Sequence, residues 1–138
     1  MRYLGIDYGT RRIGIAVSDD KGSFAFPKET LPNDASAIDR ITTLVKTSEV
    51  EEVVMGDARA MNGLENPVTK EAESFAAALH AHTHVPVHLS WEAWSTVEAA
   101  RFAPKGKEHD DAAAAAIILQ RYLDLQKRES VEDEEEIE

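Results

Sequence analysis

The chain has 138 residues, 43% of them apolar, which suits one domain around one core. It has no cysteine, which excludes a disulfide framework and any thiolate metal site. No run approaches the roughly 20 apolar residues of a membrane span. The net charge of −11 argues on its face against a nucleic-acid partner.

In chain order, Tyr3 to Tyr8 is a short apolar run suited to a strand. It meets an acid at Asp7, too early for a signal-peptide core, so the reading is a cytoplasmic protein with no membrane partner. Gly9-Thr10-Arg11 makes a tight turn, and Arg12 to Ser18 reads as a second strand. Asp19-Asp20-Lys21-Gly22 is a turn signal, so a third strand over about 23–30 should return antiparallel. Gly5 and Gly14 inside strands imply close backbone approach or weak edge packing. Pro32-Asn33-Asp34 offers a helix start, and Ile38, Ile41, Leu44 and Val45 follow at helical spacing to about Thr47.

A fourth strand spans Val50 to Gly56. After a loop at 57–66, Pro67 suits a first helical turn, and that helix runs to about His82. Val87-His88-Leu89 is a short fifth strand. Ser95-Thr96-Val97-Glu98 fits a capping box opening a helix to about Phe102. A breaker-rich basic loop follows over 103–108, then a long helix from about Asp110 to Lys127. The order predicts an α/β domain, a five-stranded mixed sheet with helices on both faces. The last ten residues hold seven of the 26 acids, which leaves 19 acids against 15 Lys and Arg in the body and weakens the charge objection. Residues 1–128 are therefore expected to form the domain and 129–138 an acidic, disordered tail.

Several acids fall at ends of elements. Asp7 closes the first strand and is followed by Gly9-Thr10, which leaves a carboxylate at the sheet edge where a hard cation prefers oxygen ligands. Asp7 as a cap of its turn is an equal alternative, and the same pattern resembles the phosphate loop of actin-like and sugar kinases. Glu92 follows the fifth strand, where a solvated loop acid is the ordinary reading. Asp110 and Asp111 open the last helix, where acids stabilise the dipole, while one of them can face a site. Asp57 closes the fourth strand and is by default a surface acid. Trp91 and Trp94 read as packing groups. His80, His82, His84 and His88 share no obvious face, which speaks against a histidine metal site.

Together these residues resemble the YqgF/RuvX family of pre-16S rRNA nucleases and Holliday junction resolvase-like proteins, within the ribonuclease H superfamily. The likeness covers about residues 2–126. It is carried by Gly5-Ile6-Asp7-Tyr8-Gly9-Thr10 with Arg12-Ile13-Gly14-Ile15-Ala16-Val17-Ser18, by Val53-Val54-Met55-Gly56 through Met61-Asn62-Gly63, by Glu92 with Ser95-Thr96-Val97-Glu98-Ala99, and by Asp111 with Ala112 to Leu123.

The resemblance implies a ribonuclease H-like fold and a catalytic, metal-binding triad of Asp7, Glu92 and Asp111 holding Mg²⁺ or Mn²⁺; Asp57 and Asp110, read from their places at element ends, are candidates for a further ligand. The candidate nucleic-acid contacts are Thr10, Arg11, Arg12, Ser95 and Thr96, with Lys105 and Lys107 either phosphate contacts or, equally, ordinary loop lysines. The chain departs from the family at Trp91 and Ala93, which replace the Asp and Arg flanking the glutamate, and at Asp57-Ala58, which replace Leu-Pro. Losing that arginine removes a phosphate contact.

The resulting expectation is a nuclease acting on structured RNA, with a ribosomal RNA precursor as substrate. The alternatives are a nuclease of branched DNA and a catalytically impaired module that binds nucleic acid or an assembly partner. An ATP-binding reading is disfavoured, because the chain has no room for the second domain that actin-like kinases close over nucleotide.

Overall fold

The computed structural model describes residues 1–56, 67–90 and 111–137, with backbone alone at 67–69 and 129–137. Five strands, β1 (Tyr3–Asp7), β2 (Arg12–Ser18), β3 (Ala25–Pro32), β4 (Glu52–Gly56) and β5 (Val87–Leu89), form one sheet in the order β3-β2-β1-β4-β5. The described helices are α1 (Ala37–Thr47), α2 (Pro67–Thr83) and α3 (Asp111–Ile137). The second strand is antiparallel to the first and third, while β4 is parallel to β1 and β5 to β4. This is the predicted mixed sheet, with β1 at its centre. The capping-box helix predicted over 95–102 lies outside the described residues. Among the described residues no helix is long and apolar enough to cross a membrane.

The meander turns where its sequence dictates. Gly22 takes a positive φ of 67°, and the Asp19 carboxylate accepts hydrogen bonds from the backbone N–H of Ser23 (2.7 Å) and Phe24 (3.0 Å). The edge strand β3 shifts register between Ile15 and Ala16 of its neighbour, placing one extra residue, Lys28, opposite that step. Such a bulge, beside Pro27, discourages pairing with another edge.

Side-chain alternation separates the two faces of the sheet. One presents Leu4, Ile6, Ile13, Ile15, Val53 and Met55, all fully buried, and α1 and α2 pack on these large apolar groups through Ile41, Val45, Ala72 and Leu79. The other face is built from small residues, Gly5, Gly14, Ala16 and Gly56, beside Tyr3 and Val54. It receives α3 through Ala115, Ile118, Leu119 and Leu123. A Cβ at Gly5 would lie 2.7 Å from Leu119 Cβ and 3.0 Å from Ala115 O, so of the two readings of this glycine, close approach and weak edge packing, the first holds. Each helix has packing on one side and solvent on the other, and both faces of the sheet are covered.

Helix α3 runs back along β1. Its first residue, Asp111, lies against Gly14 near the carboxyl end of β1, and Gln126 accepts a 3.2 Å hydrogen bond from the Tyr3 hydroxyl near the other end. Where the sequence predicts an end near Lys127 and a disordered tail, the helix continues to Ile137. Glutamate is a good helix former, and neither Gly nor Pro follows Asp111 to stop the helix.

Candidate active site

The parallel strands β1, β4 and β5 finish on one edge of the sheet, the edge where ligands of open α/β sheets bind. Asp7 is the last residue of β1. Alternation directs it to the same side as Tyr3 and Gly5, towards α3, and it is only 5% exposed. Its cross-strand partners are both glycines, Gly14 on β2 and Gly56 on β4.

Those glycines admit backbone from elsewhere. A Cβ at Gly14 would fall 1.8 Å from the carbonyl oxygen of Asp111, and one at Gly56 would fall 2.7 Å from the carbonyl oxygen of Ser90. Any side chain at Gly14 would therefore displace the start of α3. In this way the central acid is flanked on one side by the start of α3 and on the other by the chain leaving β5. Ser90 is fastened there by its N–H, which donates to Met55 O at 2.8 Å.

Asp111, 8% exposed, is the second buried acid of this edge. Its Oδ2 lies 3.1 Å from Nε of Arg12, whose own side chain is 60% exposed. The arginine thus supplies positive charge from the solvent side, and a pair that is this open contributes only about 0–1 kcal/mol. Asp7 and Asp111 offer hard oxygen donors and no sulfur, a donor set that fits a hard divalent cation. Among the described residues no group of three or more acids and histidines is positioned as a metal site. Glu92, the predicted third ligand, lies outside the described residues, as do Asp57, Asp110, Ser95, Thr96, Lys105 and Lys107.

Of the predicted nucleic-acid contacts, Thr10, Arg11 and Arg12 are exposed at the turn joining β1 to β2, on the same edge as Asp7. Sequence reasoning missed what holds that turn. The Asn33 side chain donates from Nδ2 to Gly9 O at 2.8 Å, and its backbone N–H donates to Arg11 O at 2.9 Å. Asn33 stands out in the sequence only as a helix-start residue. Helix α1 instead begins at Ala37, after Asp34 has accepted a 2.9 Å bond from Ser36 N–H, and the Ser36 hydrogen bonds hold the Asp34 carboxyl below the usual carboxylate range. The histidines lie elsewhere: His80 donates from Nδ1 to Val85 O and His82 from Nδ1 to Ala78 O, each at 2.8 Å, while His88 stacks on Tyr122.

Sheet order, faces and the acidic carboxyl edge define a ribonuclease H-like domain. The same fold is found in RuvC of Thermus thermophilus, with a TM-score of 0.58 at 16% identity over 92% of this chain and 96% of that one. The chain belongs to the RuvX family, whose model, described as "Holliday junction resolvase", matches residues 1–125. A relative from Leifsonia xyli subsp. xyli named "Putative pre-16S rRNA nuclease" is 38% identical over 92% of this chain and 88% of its own length. One of the same name from Geobacillus kaustophilus is 36% identical over 92% of this chain and 100% of its own.

Proposed function

We propose that this protein is a metal-dependent phosphodiesterase of the cytoplasm that cuts structured RNA, processing the 5′ end of the 16S rRNA precursor. The observation that carries the reading is the placement of Asp7, buried at the central strand end between two glycines, with Asp111 admitted beside it by one of them. The names of the relatives supply the substrate.

Asp7 and Asp111 would hold the metal, Mg²⁺ or Mn²⁺. Ser90 lies against Gly56, and Glu92 is two residues further, within about 7 Å of chain. That reach supports Glu92 as the third carboxylate, with Asp57 or Asp110 adding a ligand. When bound, a divalent ion would activate water and stabilise the leaving oxygen. The chain's own part is to fix the carboxylates on rigid backbone, to exclude solvent from them, and to hold phosphate. Thr10, Arg11 and Arg12 are suited to that last role from the β1–β2 turn, with Ser95, Thr96, Lys105 and Lys107 as further contacts.

A second reading, cleavage of branched DNA, rests on the family description. A third, binding without cutting, rests on Ala93, where the family carries arginine. One experiment separates the three. Purified protein is given a precursor RNA carrying the 5′ stem of 16S rRNA and, separately, a four-way DNA junction, each with Mn²⁺ or chelator. The RNA should be cut only with metal, and Asp7→Asn should abolish cutting with the fold intact. Cutting of the junction alone would transfer the activity to DNA. Tight RNA binding with no cutting in any metal would leave the binding module.

A further inference from the structure

A second feature of this edge lies on the opposite face of the sheet. Tyr8 follows Asp7 directly, so its side chain turns to the α1–α2 side, where it is 5% exposed. Its ring packs on Phe75 of α2, with centroids 5.2 Å apart and planes tilted by 55°. Lys70, Glu71, Ser74 and Phe75 occupy two adjacent rows of α2, one turn apart, and with Tyr8 they line an open cleft of about 500 Å³. That volume falls within the roughly 300–1,000 Å³ of small-molecule sites. Tyr8 belongs to the core and Phe75 packs against it, while the described carboxylates of the other face do not use the cleft.

We propose that this cleft is a subsite for one unpaired nucleobase of the RNA, beside the phosphate that is cut. The inference rests on the nuclease reading and adds a substrate feature to it, an unstacked base at the cut. The chemistry is that of single-strand recognition. Phe75, half-buried against Tyr8, offers a π face for stacking. Lys70 supplies an ammonium to phosphate at the rim, and the Glu71 carboxylate accepts from an exocyclic amino group. Ser74 can donate or accept. An apolar peptide side chain would need no such pair of opposite charges around one ring.

Position supports the same occupant. Tyr8 and Asp7 are consecutive and face opposite sides, so a strand crossing the carboxyl edge of the sheet could set a phosphate at Asp7 and the neighbouring base on the exposed ring face of Phe75. Tyr8 is held at that crossing by its N–H, which donates to Gly56 O at 2.8 Å.

The test is run in chelator, so that binding is read without cutting. Fluorescence anisotropy compares a short oligoadenylate with an oligomer of the same sugar-phosphate chain lacking bases. Wild type should prefer the base-bearing chain by about tenfold, the size expected for one stacked base. Ser74→Leu fills the cleft from an exposed helix position and should reduce that preference to near one, with melting unchanged. Phe75→Leu keeps an apolar group against Tyr8, removes the π face, and should do the same. Equal affinity of wild type for the two oligomers, or full preference in both variants, overturns the subsite. If the preference is present and lost as stated but no metal supports cutting, the nuclease reading fails and the base subsite stands. Metal-dependent cutting with no base preference leaves the nuclease reading in place and removes the subsite.

Discussion

Nε of Arg12 lies 3.1 Å from Oδ2 of Asp111, so a cation of the chain already rests against one of the two acids that are buried at the carboxyl edge among the described residues. A metal ion arriving at Asp111 must share that carboxylate with the guanidinium. Arg12→Gln should therefore have opposite effects in two conditions. In chelator it should lower the melting temperature slightly, by no more than about 1 kcal/mol of stability, because the arginine is largely solvated. With Mn²⁺ added, the gain in melting temperature should exceed that of wild type. Differential scanning fluorimetry across a Mn²⁺ titration reads both. An identical Mn²⁺ response in the two proteins would remove Arg12 from the site.

Gly14→Ala and Gly5→Ala should separate packing from the site. Both place a Cβ against α3, at Asp111 O in the first case and at Leu119 Cβ in the second. Overpacking of this kind costs about 1–3 kcal/mol, and more where backbone must move. Only Gly14→Ala shifts the residue carrying the second carboxylate. We expect both variants to melt below wild type, Gly5→Ala to keep its stabilisation by Mn²⁺, and Gly14→Ala to lose it. A retained Mn²⁺ response in Gly14→Ala would show that the position of Asp111 does not matter to metal binding.

Deleting residues 129–138 should leave melting nearly unchanged. The segment has seven acids and only Val131 and Ile137 to bury, and acids at a helix C-terminus oppose the dipole. Removing that charge should tighten RNA binding at low salt, with the difference shrinking as salt screens it. Filter binding at two salt concentrations is sufficient. A large loss of stability would mean that the end of α3 is part of the fold.

The meander should be a site of acid lability. Backbone hydrogen bonds from Phe24 and Ser23 hold the Asp19 carboxyl below its usual range. Its folded value is the lower one, so its contribution is present above the unfolded value and is lost as pH falls through the folded one. Asp34 behaves alike through Ser36. Asp19→Asn keeps an acceptor oxygen but does not titrate. Its melting temperature should fall less steeply than that of wild type between about pH 5 and pH 2. Parallel curves would show that the turn does not report on this carboxylate.

The sequence by itself determined the five strands, the starts of the described helices to within a few residues, and Asp7 as the acid that closes the central strand. Alternation over Tyr3–Asp7 and Arg12–Ser18, the Asp19–Gly22 turn and the spacing of Ile38, Ile41 and Val45 are local patterns, and local patterns set strands, turns and helix faces. Asp7 is legible because a carboxylate followed closely by Gly9-Thr10 closes a strand. The end of α3 departs from expectation for a local reason as well: its acids suggest solvation, while their helix propensity carries the backbone on to Ile137. Tertiary structure alone decided what surrounds Asp7. That Gly14 and Gly56 are its two neighbours depends on the register of three strands, which no single segment encodes. That Asp111 and Ser90 enter over those glycines, that Asn33 holds the turn from 24 residues away, and that Tyr8 and Phe75 line an open cleft all depend on how strands and helices seat against one another. These are contacts between residues far apart in the chain, fixed by close packing of whole elements, and composition and spacing carry no record of them.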